Sequence, residues 1–265
     1  MSSKVELMSN ATLNLQTAPG HQVLAAAGKR ILRPGGRAAT QQLFRWAEFK
    51  PGEMVLELAA SFGDSAIALA KRYGVCVVGI EKNPDSVARA VSNVAANGLS
   101  DRIQIIEGDI FHLEQVNGQF DYVLAEAILT MQSPSGKVKI LQGVCDRLKP
   151  GGKFLCHELL VQNNESEIHQ ALSRVIRVNA TPYSESNWIA TFATAGLQVQ
   201  HHQIGKMGLL NIQQMLYDEG IIGTAQVLWN ILTKPLLRQR VLQMRQVFNQ
   251  YKQDLGHIIL CAQRP

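Results

Sequence analysis

The chain has 265 residues, 46% apolar and 18% charged, with a net charge of +5 and four cysteines. It is long enough for one large α/β domain with an elaboration and too apolar to be disordered, and no apolar run reaches the 18 residues of a membrane-spanning helix. The cysteines show no C-x-x-C pairing, which points to buried thiols rather than a metal site, and "MSSKVELMSNATLNLQTAPG" lacks the apolar stretch of a secretory signal, so a cytoplasmic location is expected.

The first structured stretch, "LRPGGRAATQQLFRWAEF", reads as a glycine turn leading into a helix. From residue 54 to 160 strand and helix patterns then alternate. Apolar runs predict strands at 54–60, 75–81, 103–109, 120–127 and 153–161, with helices at 64–73, 84–97 and 136–148 between them. Asn83-Pro84 supplies a cap residue and a proline at the first helical position, and Gly98 suits a left-handed end. Lys149-Pro150-Gly151-Gly152 stops the third of these helices and delivers the next strand. Alternation with continuously apolar strands predicts a parallel sheet covered on both faces. Such sheets bind ligands beyond the carboxyl ends of their strands, so the chemistry is expected just after residues 57, 81, 109 and 126.

Beyond residue 161 helices are predicted at about 165–178 and 187–195, followed by a strand "LQVQHHQI". Residues 210–253 read as mostly helical, and "GHIILCAQ" reads as a returning strand. An insertion of that length is too long for a connector and predicts a cap. Within it Leu237, Val241, Met244, Phe248 and Tyr251 form an apolar stripe opposite Arg238, Arg240, Arg245 and Lys252. This describes either a cap helix with a solvated basic face or a face for an anionic membrane surface. Residues 234–253 hold five basic and no acidic residues, whereas 51–233 hold 13 basic against 18 acidic. The expected division is an N-terminal segment and first helix at 1–50 acting as a cofactor lid, a core at 51–209 and 254–265, and a helical cap at 210–253.

The stretch "MVLELAASFGDSAIALA" runs from strand to helix, with Glu57 at the strand end and a single glycine, Gly63, in the turn. It resembles the first motif, (D/E)-x-G-x-G-x-G, of the class I S-adenosylmethionine-dependent methyltransferases, with Ala59 and Ser61 replacing two glycines. Glu81 closes the second strand 24 residues later, "EGDIFHL" places Asp109 at the end of the third, and "FDYVLAEA" and "RLKPGGKFL" resemble the family's fourth-strand and fifth-strand motifs. The resemblance covers about residues 54 to 160. It implies a Rossmann-like seven-stranded sheet, last strand antiparallel, with helices on both faces and a helical cap. It further implies S-adenosylmethionine as cofactor, with Glu57, Ala59, Ser61, Gly63 and Glu126 among the residues that bind it and Glu81 on the ribose hydroxyls. Asp109 and the Ile110 amide would face the adenine, and the stem of Lys82 would cover the ring. Arg37 would pair with the cofactor's carboxylate, or the Gly35–Gly36 turn is a plain helix start.

The segment after the fourth strand should border the transferred methyl. Glu126 is the acid placed to orient an amine or accept a hydroxyl proton, and otherwise a structural carboxylate. His157, at the end of the fifth strand, is the best placed of seven histidines for a base and is expected at the pocket rim. Tyr183, Trp188 and Tyr217 are candidates to line an apolar pocket. No metal cluster or (Asp/Asn)-Pro-Pro-aromatic signature appears. The reading is therefore methyl transfer to a small molecule, with an RNA methyltransferase or a non-catalytic S-adenosylmethionine-binding protein as alternatives. Nucleic acid is the weaker partner, and peripheral membrane contact stays open.

Overall fold

A computed structural model describes residues 14–265, so the first 13 positions of the expected N-terminal segment lie outside it. The strands are β1 (Met54–Leu58), β2 (Cys76–Glu81), β3 (Ile103–Glu107), β4 (Phe120–Glu126), β5 (Leu148–Val161), β6 (Gln198–Lys206) and β7 (Leu255–Gln263). They form one seven-stranded sheet in the order β3-β2-β1-β4-β5-β7-β6. β7 runs antiparallel to both its neighbours, and the pairs among β1 to β5 are parallel. The strand order reverses between β1 and β4, which places the switch point where Glu57 and Glu126 end their strands.

The nine α-helices of the described residues are α1 (Gly20–Ala26), α2 (Gly36–Ala47), α3 (Asp64–Tyr73), α4 (Pro84–Ala96), α5 (Pro134–Arg147), α6 (Glu165–Ile176), α7 (Glu185–Thr194), α8 (Ile212–Thr233) and α9 (Pro235–Gln250). Local chemistry sets several of their ends. The Asn83 side chain accepts from the Ser86 amide at 3.0 Å to open α4, and Ser133 accepts from Gly136 to open α5. α3 begins on Asp64 and ends on Lys71 and Arg72, each charge matching the helix dipole.

On one face α2, α3 and α4 bury Leu43, Phe44, Leu69 and Val94 against Val55, Val77 and Ile259. On the other, α5 and α7 bury Ile140, Val144, Trp188 and Phe192 against Leu56, Val123 and Phe154. α2 therefore belongs to the core, and the segment before it is what reaches the strand tips, through Arg33 and Gly35. A third cluster joins α1, α8 and α9 through Val23, Leu24, Val227, Leu237, Val241 and Met244. The predicted stripe of α9 is thus the side that packs on the body. Arg240 departs from its expected place on the exposed basic face. It is buried and donates to the carbonyls of Val175 and Ala18 at 3.1 and 3.0 Å, locking α9 to α6 and to the lead-in of α1.

Candidate functional site

The chain leaves β1 through Ala59 (φ 54°), Ser61 (φ 51°) and Gly63 (φ 80°), all left-handed. A side chain in that region costs about 1–2 kcal/mol per residue, so the backbone keeps the path of a glycine loop although two glycines are gone. Fixed partners hold the strained turn. The Ala60 amide donates to the Ile80 carbonyl at 2.8 Å, and the Ser61 amide donates to Glu81 at 2.9 Å. The second Glu81 oxygen accepts from the Asn83 amide at 2.9 Å. Gly79 lies beneath the turn, where a Cβ would stand 2.8 Å from that of Ala60 and 2.7 Å from Ile105 Cδ1. The missing side chain lets the loop rest on β2.

Past the tip of β3, Asp109 accepts from the Phe111 amide at 3.0 Å and from Lys82 Nζ at 2.8 Å. The Lys82 bond and then the Phe111 amide hold the Asp109 carboxyl below its usual range. Lys82 is largely exposed and reaches along the rim to Asp109. Ile110 is partly buried at the start of a 3-10 turn. Glu57, Glu81 and Asp109 thus stand at the ends of three adjacent strands, a span of about 10 Å at the usual strand spacing.

The fourth-strand acid sits in a buried network. Parallel pairing sets Glu126 beside His157. Glu126 accepts from Arg33 at 3.0 Å, from the Ser65 hydroxyl at 3.1 Å and from the Thr40 hydroxyl, while Ser65 also accepts from Arg33. Burial opposes its charge, but Arg33, His157 and Thr40 outweigh it and hold Glu126 at about 2. Glu57 lies beside this pair and responds oppositely: burial first, then the Glu126 charge, raises it to about 8 despite Arg33. Burial beside an ionised Glu126 therefore favours the protonated form of Glu57. One Glu57 oxygen is buried with no partner among the described residues.

His157 is not at the rim. It is fully buried, and its Nε2 accepts from the Gly35 amide at 3.0 Å. The ring proton is therefore on Nδ1, 3.7 Å from Glu126, and burial lowers the imidazole pKa against the pull of that carboxylate. The buried ring holds the Gly35 turn and lines none of the apolar pocket beyond Glu126. Arg37 likewise lies elsewhere: its amide donates to the Asp218 carboxylate at 2.8 Å and its Nε to the Asp218 carbonyl at 2.6 Å. The guanidinium that faces the strand tips is Arg33, four residues earlier in the same turn. Nothing in the sequence separates Arg33 from Arg30 or Arg37; the fold of residues 29–37 does. That strap is tied to α8 by Glu219, which accepts from the Arg30 and Ile31 amides at 3.1 and 2.9 Å and pairs with buried Lys29 at 3.4 Å.

Beyond Glu126 the strand tips open into an apolar cavity of about 100 Å³. Ala127, Thr130 and Leu159 form its floor, Leu24, Leu172 and Ile176 part of its wall, and Met244 and Phe248 of α9 its far side. Among the lining residues His21 alone has a titratable side chain, and it lies within electrostatic reach of Glu81. Sequence reasoning missed His21, because α1 is too short to stand out by periodicity. The aromatic candidates line none of this pocket. Trp188 is buried and donates to the Leu159 carbonyl at 3.0 Å, Tyr183 packs on it, and Tyr217 is exposed on α8.

A sheet of this order, a left-handed loop after its first strand and acids on successive tips define the Rossmann-like methyltransferase class. A family described as "Methyltransferase domain" matches residues 55–152. An uncharacterized protein of Haemophilus influenzae is 35% identical over 246 residues, covering 92% of this chain and 98% of that one. A sterol 24-C-methyltransferase of Gibberella zeae is 29% identical over 164 residues, covering 58% of this chain and 42% of that one. Other matches bear the names ribosomal protein L11 methyltransferase, from Symbiobacterium thermophilum, and phosphoethanolamine N-methyltransferase 2, from Caenorhabditis elegans. The chain spans half or less of the length of these named relatives. Among solved structures, a methyltransferase from Geobacter sulfurreducens in complex with S-adenosylhomocysteine matches with a TM-score of 0.66 at 18% identity, covering 92% of this chain and 98% of that one. The chain belongs to the class I S-adenosylmethionine-dependent methyltransferases, and S-adenosylmethionine is its cofactor. The site's chemistry fits that molecule: the unpartnered buried oxygen of Glu57 and the neighbouring Arg33 suit an amine and a carboxylate at one end.

Proposed function

We propose that the protein transfers a methyl group to an apolar small molecule held in the pocket beneath α9. The observation that carries this reading is the pocket itself, which begins at Ala127, one residue after Glu126, and has almost wholly hydrocarbon walls. Glu81 would take the ribose hydroxyls with its remaining lone pairs, and Asp109 with Ile110 the adenine. Glu57 and Arg33, in place of Arg37, would hold the methionyl end. The bound cofactor supplies an electrophilic methyl on a sulfonium. The protein's own task is to orient the acceptor and keep water out, and the pocket walls suit both.

Glu126 acts here as a fixed negative charge, since a carboxylate at about 2 accepts protons poorly. If the acceptor atom carries a proton, His21 is the group on the wall that can receive it. The sterol in a relative's name supports an apolar acceptor, although that likeness covers little more than half of this chain.

The test is incubation with methyl-labelled cofactor and, separately, a lipid extract, an aqueous metabolite pool and RNA. Label in the organic extract is expected, and label confined to RNA would sink the proposal. Val178→Trp, which fills the pocket from its side, should lower transfer by about ten-fold or more while cofactor affinity by calorimetry stays within about two-fold.

A further inference from the structure

The cap carries a surface that the transfer reaction does not use. Among the described residues, eight of the eleven large apolar side chains that stand exposed lie on α8: Ile212, Leu216, Tyr217, Ile221, Ile222, Leu228, Trp229 and Leu232. Gly220, at φ 74° and ψ 176°, breaks this helix in two, and the second half carries the densest group. There Ile221, Ile222, Trp229 and Leu232 are 80%, 85%, 67% and 64% exposed. Positions 221, 225, 228, 229 and 232 share one side of a helix with Ile222 at its edge, while Thr224 and Val227 face the body. This half-helix is apolar toward both the protein and the solvent. Such a continuous exposed patch on a water-soluble surface marks a docking site.

Charge identifies what docks. Residues 220–253 contain no acid. The two cap acids just before them, Asp218 and Glu219, are both turned inward onto the strap of residues 29–37. The exposed cations Lys234, Arg238, Arg245 and Lys252 have no acidic partner among the described residues, and Lys234 follows the apolar face directly at the end of α8. An apolar stripe with Trp229, followed directly by Lys234 and by a helix that carries cations and no acid, matches an anionic lipid surface, where aromatic rings settle at headgroup level. A second copy fits less well, because a two-fold contact through this face would bring cations together with no exposed acid on the cap to receive them.

We infer that α8 and the adjoining turn into α9 form an interfacial face that seats the protein on an anionic membrane surface. The inference rests on the cap surface and is independent of what is methylated.

The test is sedimentation of the full chain with vesicles of phosphatidylcholine alone and of phosphatidylcholine with phosphatidylserine at about two to one. Binding to the anionic vesicles is expected, falling with salt. The pair Ile221→Ser/Ile222→Ser should weaken it by about ten-fold or more, and Lys234→Gln/Arg238→Gln by a similar factor. Both pairs are exposed, so circular dichroism should show an unchanged fold. Trp229→Phe should abolish the fluorescence blue shift that vesicles induce. Vesicle binding indifferent to both pairs would overturn the inference. So would a chain that ignores anionic vesicles, and if it then sediments as a dimer which the isoleucine pair dissociates, the face belongs to a second copy.

Discussion

The two halves of the strand-tip cleft are built on different principles. Over β1, β2 and β3 the site is polar and local: a strained loop and acids at strand ends, joined by backbone amides over a span of about 10 Å. Beyond β4 it is apolar and assembled from afar, with walls drawn from α1, α6 and α9 and a floor from β4 and β5. The first half is held by specific polar partners, the Ser61 and Asn83 amides on Glu81 and the Phe111 amide on Asp109. The second needs only volume and hydrocarbon, which many sequences supply. The polar half is therefore constrained by chemistry, and the apolar half chiefly by volume.

The strongest way to break this contrast is at its seam. Arg33→Met leaves the Glu126 carboxylate buried without its cation and should cost about 3 kcal/mol in urea unfolding, more than any single truncation of the pocket's open side. A loss below about 1 kcal/mol would mean that Ser65, Thr40 and His157 suffice. Next in size, Glu81→Ala removes the acceptor of the Ser61 and Asn83 amides together. Cofactor affinity should fall by about thirty-fold in calorimetry, at roughly 2 kcal/mol for a charged acceptor.

The Glu57 proton sharpens the same contrast. Its folded value of about 8 exceeds the reference of 4.5, so the stability it contributes is whole below pH 4.5 and is lost as pH rises through about 8. Glu126 works the other way, contributing above pH 4.5 and failing as pH falls toward about 2. Glu57→Gln should flatten the decline between pH 4.5 and 8 in thermal melts and leave the acid limb in place. A decline that persists in this variant would assign it to another group. The smallest effect is expected in the loop, where Ala59→Gly and Ser61→Gly each relieve a left-handed side chain. Each should raise stability by about 0.5–1 kcal/mol, the backbone entropy of glycine offsetting part of the gain. If both destabilise, the side chains do work that the torsions do not reveal.

Much of the polar half is legible in the sequence. The first four strands, α3 and α4 fall within about two residues of their predicted places, because apolar runs and end signals are local, whereas β5 begins at Leu148 and takes in the Lys149–Gly152 stretch expected as a turn. The acids of that half follow from strand position alone. Elsewhere the reading slipped wherever long-range packing decides. His157 was expected at a rim, yet pairing of β5 with β7 and the Gly35 turn seal it. Arg240 looked like its exposed neighbours on a helical wheel, but α1 and α6 close over it. Arg37 and Arg33 differ only in which side of a glycine turn they leave.

What the amino-acid order determined by itself was the run of strands and helices, the acids on their tips and the family to which they belong. All of these depend on neighbours a few residues apart. Tertiary structure alone decided which arginine meets Glu126, which histidine meets the pocket, and that α8 turns an apolar face outward. Those outcomes depend on residues far apart in the chain, 190 positions in the tie between Lys29 and Glu219 and 222 in the bond from Arg240 to Ala18, and no local pattern encodes a contact at that separation. Burial sets the protonation of Glu57 as well, since an identical carboxyl in solvent would keep its ordinary value.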